Sequence, residues 1–108
     1  MNLTITQVTA PPAPSFQGTI TATGTLQGTA FPLTARVNVV TVAPAGSGVL
    51  LAAGAAEQKV LNRGVAPLSV YPPVGDAIEV GAINQAVTVA VGGSATFDWD
   101  GNITWWVS

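Results

Sequence analysis

Apolar and polar residues alternate with period two along much of this chain, most clearly over its last fourteen residues, Ala95 to Ser108. Ala95, Phe97 and Trp99 fall on one face of a first strand, and Ile103, Trp105 and Val107 on the matching face of a second, because successive strand side chains point to opposite sides. Asp100-Gly101-Asn102 separates the two runs. A two-residue loop at Asp100-Gly101 would set Phe97 against Thr104 and Asp98 against Ile103, mixing the faces. A three-residue loop at 100–102 instead pairs Trp99 with Ile103 and Phe97 with Trp105, and this is the predicted register. Trp106 then lies on the outer face with Thr96, Asp98 and Thr104, where an isolated domain would leave a large indole in water.

The same pattern predicts further short strands upstream. Leu3 and Ile5 alternate with Asn2, Thr4 and Thr6 and are followed by Pro11-Pro12-Ala13-Pro14, which favours polyproline geometry, so residues 1–16 read as an extended N-terminal arm with a proline-rich spacer. Thr19, Thr21, Thr23 and Thr25 form a ladder suited to a solvated strand face. In the strand Arg36–Val42, Val37 and Val39 share one face while Val40 and Val42 share the other, so it is buried on both sides or contains a bulge. Val49–Ala56 reads as strand then turn, since Gly54 interrupts it and no helix cap precedes it. Gln58–Asn62 and Leu68–Tyr71 flank Arg63–Pro67 as a hairpin, and Ile78–Val80 and Ala86–Val91 are further strands. No fixed-period repeat is evident. The expected fold is all-β: a single β-sandwich or jelly-roll-like body over residues 17–108, preceded by the arm.

Composition sharpens this picture. Of 108 residues only 7% are charged while 48% are hydrophobic, against about 25% charged in an ordinary soluble domain. Sheet edges are usually protected by charge or proline, yet Val37–Val42 and Ala86–Val91 carry no charge, so their edges need cover from other strands or from another copy. An obligate oligomer meets that need. Three basic residues, Arg36, Lys59 and Arg63, are too few and too scattered for a nucleic-acid footprint. No stretch approaches the roughly 18 apolar residues of a membrane helix, and the start has no basic signal region, so the expectation is a chain made in the cytoplasm, without a signal peptide and without a membrane.

Candidate chemistry is sparse. Cysteine and histidine are both absent, which leaves nucleophilic catalysis without its usual base. Asp98-Trp-Asp-Gly-Asn102 resembles the opening of a calcium loop, but the closing bidentate Glu is missing, and a plain hairpin turn accounts for it. Asp98 and Asp100 would lie about 7 Å apart on one strand face, a spacing that suits an inverting glycosidase. An exposed turn lacks the burial a general acid needs. We expect no catalytic residue, no metal and no cofactor. Trp106 and Tyr71 are the aromatics left free to stack on a sugar or a protein partner.

Leu61-Asn-Arg-Gly-Val-Ala-Pro-Leu-Ser-Val-Tyr-Pro-Pro-Val-Gly-Asp-Ala-Ile78, followed by Gly92-Gly-Ser-Ala-Thr-Phe97 and Trp105-Trp106, resembles a module of tailed-phage virion proteins. Val37–Val42 and Gly48–Leu51 extend the resemblance to about residues 36–106. Members of that group resemble capsid decoration (cement) and head-fibre proteins, and are similar to domains of tail fibres. The module often ends a longer chain, whereas here it makes up nearly all of the sequence, which favours a small cement protein over a fibre. The resemblance implies a homotrimer on the virion surface, bound to the major capsid protein. With Leu3 and Ile5 of the arm added, the expected interface residues are Leu3, Ile5, Tyr71 and Trp106. The competing expectation is a fibre-type module that binds host-surface carbohydrate.

Overall fold

The computed structural model describes residues 16–108; Leu3, Ile5 and the proline-rich spacer of the arm lie outside the described residues. The described chain is all-β apart from one 3-10 turn at Gln27–Thr29. Ten strands form two sheets: β1 (Phe16–Thr21), β2 (Phe31–Pro32), β3 (Val37–Val42), β4 (Gly48–Leu50), β5 (Glu57–Asn62), β6 (Leu68–Tyr71), β7 (Ala77–Ile78), β8 (Val87–Val89), β9 (Ser94–Trp99) and β10 (Thr104–Val107). The six-stranded sheet has the order β1-β3-β5-β9-β10-β7, and the four-stranded sheet the order β2-β4-β6-β8.

The first six strands alternate between the sheets. Odd strands pair with odd and even with even, all in parallel. Phe16 and Val37 are register partners 21 residues apart, and Val37 and Lys59 are partners 22 apart. A structural repeat of about that length is therefore present where sequence reading finds none. It also corrects the expected hairpin: β5 and β6 lie in different sheets, and Arg63–Pro67 is an arch between them. This parallel pairing departs from the antiparallel arrangement of a jelly roll. The last strands reverse direction, β9 pairing antiparallel with β5, and β8 with β6.

Both sheets contribute to one core. Ile20, Val40, Val60 and Phe97 from the large sheet meet Val49, Leu68, Val70 and Val89 from the small one. The Thr ladder falls outside it, since Thr19, Thr21 and Thr23 are exposed while Ile20 and Ala22 are buried. Asn38 and Val40 make the inward face of β3, with Val37 and Val39 partly buried behind. β1 and β5 flank this strand, so its charge-free edges are covered by the chain itself. β7 and β8 are each shorter than expected. Glu79 ends β7 by adopting φ 52°, in the left-handed region that non-glycine residues seldom enter.

Buried amides make the crossings between sheets possible. An arch leaves the ladder, so its buried N–H and C=O groups need other partners. The Gln58 amide donates to the Ala35 carbonyl at 2.9 Å, and its oxygen accepts from Ala52 N at 2.7 Å. Asn38 also donates to Ala35 O, at 2.8 Å. The Asn62 amide donates to the carbonyls of Ala66 and Val89 and accepts from Gly64 N. Successive arches also stack tightly, since a Cβ at Gly64 would stand 2.7 Å from the Ala43 side chain.

Candidate functional site

The β9–β10 hairpin fixes the residue that sequence reading singles out. Trp105 pairs with Trp99, Trp106 with Asp98 and Val107 with Phe97. The pairing is thus displaced by two residues from the expected one: Trp99 faces Trp105 rather than Ile103, and Ile103 sits in the loop. A shift of two preserves which face each side chain occupies. The cause lies in the turn, where the Asp100 carboxylate accepts from Asn102 N at 2.7 Å and Thr104 N at 3.2 Å, and Asp100 N donates to Thr104 O. Gly101, at φ 86°, takes the left-handed position the turn requires.

Trp105 is 1% exposed and packs against Trp99 with ring centroids 5.3 Å apart. Its indole N–H donates to the Asp76 carboxylate at 3.2 Å. The next residue, Trp106, points outward and is 47% exposed. It is therefore a large apolar side chain on a strand locked by its inward neighbours, with little backbone freedom to lose on binding. Beside it, Glu79 N donates to Trp105 O, and the Glu79 carboxylate accepts from Val107 N at 3.0 Å. Val80 follows at 95% exposed.

Further apolar side chains project from the adjoining loops. Asn84 Oδ1 accepts from Gly75 N at 2.7 Å and from the Gln27 amide at 3.1 Å, and Gln27 also donates to Pro72 O at 2.8 Å. This hub joins three loops, and each loop carries an exposed apolar residue beside it: Leu26 at 67%, Val74 at 78% and Ile83 at 48%. Sequence reading missed these three and Val80. The available signal was large aliphatic residues inside turn segments rich in Gly, Pro and Asn, where side chains are ordinarily small or polar.

Tyr71 lies on the small sheet, apart from the strand of Trp106. It is half-buried, its ring lies beside Gly48 and its hydroxyl donates to Thr25 O at 3.0 Å. The structure thus does not bring Tyr71 and Trp106 onto one sheet. Leu3 and Ile5 lie outside the described residues. Asp98 is partly buried opposite Trp106 and next to Glu57 of β5, while Asp100 is turned into its own loop. Among the described residues, no group of three acidic side chains is placed to hold a metal ion, and no helix is long and apolar enough to cross a membrane.

No family model, curated protein or solved structure matches this chain.

Proposed function

We propose that this chain is a capsid decoration (cement) protein of a tailed phage: a non-enzymatic, homotrimeric subunit that binds the major capsid protein of the assembled head from the virion surface. Two sheets sharing one core support a sandwich-type body. The observation that carries the reading is the rigidly held, outward Trp106, with Val80 and the loop residues Leu26, Val74 and Ile83 also exposed, in a chain with only 7% charged residues. Apolar surface of this kind gains free energy by leaving water, and a shell with many equivalent junctions offers the place to bury it. Binding to the assembled shell and not to its dissociated parts stabilises the shell by mass action, by about 2.7 kcal/mol per site at a free concentration one hundred times Kd.

The deciding experiment is the copy number and position of the polypeptide in purified particles, by cryo-EM or quantitative mass spectrometry. Many symmetric copies on the head support the reading; absence from the head, or a few copies on the tail, overturns it. Trp106→Ala is expected to weaken oligomer or shell association by about 2 kcal/mol or more, roughly thirty-fold in Kd, measured by sedimentation with empty shells. Deleting residues 1–14 is expected to lower shell occupancy while the circular dichroism of the body is retained. A fibre-type carbohydrate module would draw on Trp106 and Tyr71 together. Their separation on different sheets weighs against it, and a glycan array with Trp106→Ala and Tyr71→Ala tests it directly.

A further inference from the structure

The two sheets do not close against each other along one side. Val87 and Val89 of β8, Ala95 and Phe97 of β9, and Val107 of β10 line a cleft of about 350 Å³ there. It shares Val87 and Glu79 with a second hollow of about 280 Å³ under Val80 and Ala86. β8 is the outermost strand of its sheet, so among the described residues one side of its backbone has no strand to pair with. An apolar trough beside a free strand edge is the geometry that accepts an added strand: backbone bonds form along the edge, and alternate side chains enter the trough.

We propose that residues 2–7 of one copy fill this cleft in a neighbouring copy as an added strand, with Leu3 and Ile5 directed inward. Leu3 and Ile5 lie two positions apart and so share one strand face about 7 Å apart, while Asn2, Thr4 and Thr6 face out. Residues 2–15 carry no charged side chain, and among the described residues Glu79 supplies the one charged side chain of the cleft wall, so insertion sets no side-chain charges against each other.

The topology selects the neighbour's cleft over the chain's own. Phe16, at the start of β1, shares a register row with Val37, Lys59 and Thr96, and Thr96 lies between the cleft residues Ala95 and Phe97 of β9. Three strand spacings of about 4.8 Å separate β1 from β9 by about 14 Å. Residues 8–15, three of them proline, would span about 25 Å at the roughly 3.1 Å per residue of polyproline geometry. A stiff spacer of that length would overshoot a cleft about 14 Å away, which suits bridging to a copy set beside the β1 edge better than doubling back across the sheet. Phe16, at the start of β1, is 61% exposed, and among the described residues no strand pairs with the outer side of β1. Each copy then gives at one edge and receives at the other, a head-to-tail contact that closes into a ring when the rotation allows. The trimer of the functional proposal is one such ring. This exchange is a contact between copies and needs no phage shell.

The absence of cysteine makes the test clean. Ile5→Cys and Val87→Cys variants, mixed and mildly oxidised, are expected to yield at least ten-fold more covalent dimer than either alone, and Leu3→Asp on the arm partner should remove it. The two cysteines placed in one chain are expected to give covalently linked oligomers. A bridge closed within a single chain, or no bridge above that of the separate variants, overturns the proposal. Val87 is only partly buried, and unchanged circular dichroism of both variants confirms that the fold is retained. Efficient bridging together with no affinity for shells would leave the arm exchange standing and remove the cement function.

Discussion

Trp105→Ala is expected to cost the fold about 3–5 kcal/mol, the range for truncating a large buried aromatic residue. Three losses coincide at this position: an indole 1% exposed within the shared core, its packing on Trp99, and its hydrogen bond to Asp76. The neighbouring Trp106→Ala provides the control, because an outward side chain on the same strand should change unfolding of the isolated chain by no more than about 0.5 kcal/mol. Urea titration followed by tryptophan fluorescence measures both. Similar midpoints for the two variants would show that the inward and outward assignments of β10 are wrong, and with them the surface on which the functional proposal rests.

The second large effect is expected at Asn62. Its side chain satisfies three backbone groups at once, the carbonyls of Ala66 and Val89 and the N–H of Gly64. Asn62→Leu keeps the volume close to the original and removes all three partners. Each buried group left unpaired costs roughly 1–3 kcal/mol, so a total loss of about 3 kcal/mol or more is expected from chemical denaturation. The arch at 63–67 should also become the preferred site of limited proteolysis, since its anchor to β8 is gone. A loss below about 1 kcal/mol would mean that the arch is held by its stacking against Ala43 and not by the amide.

Period-two alternation makes the strands and the faces of the last two legible from the sequence alone, because parity survives an error of two in register. Trp105 inward and Trp106 outward were both readable in this way. Which strand pairs with which was not. Arg63-Gly-Val-Ala-Pro67 has the composition of a hairpin turn, and nothing local distinguishes a turn that returns within one sheet from an arch that crosses to the other. The 21–22-residue repeat stayed hidden for a related reason: its equivalent inward positions hold Ile20, Val40 and Asn62, so the stacked register places unlike residues over one another. Buried Asn38, Gln58 and Asn62 read as solvent-facing in an alternation scheme, although they pair the backbone where the ladder stops. The exposed aliphatics of the loops escaped notice because a lone Leu or Val in a turn carries no periodicity. The cleft beside β8 requires knowledge of both sheets at once and is absent from any one-dimensional pattern.

The placement of β9 and β10 inside the large sheet, between β5 and β7, bears on how the molecule is made. Synthesis proceeds from the N-terminus, so β1, β3 and β5 can stack while the rest is still within the ribosome, and the far side of β5 then stays open until the final strands emerge. A half-built sheet whose naked edge is guarded only by Glu57 and Lys59 is a nucleus for sticking to its siblings. High-level production of this polypeptide should therefore be limited by the interval before β9 arrives to cover β5, and slower translation at lower temperature, or a holdase chaperone at that stage, should raise the yield of native material more than any change to the finished surface.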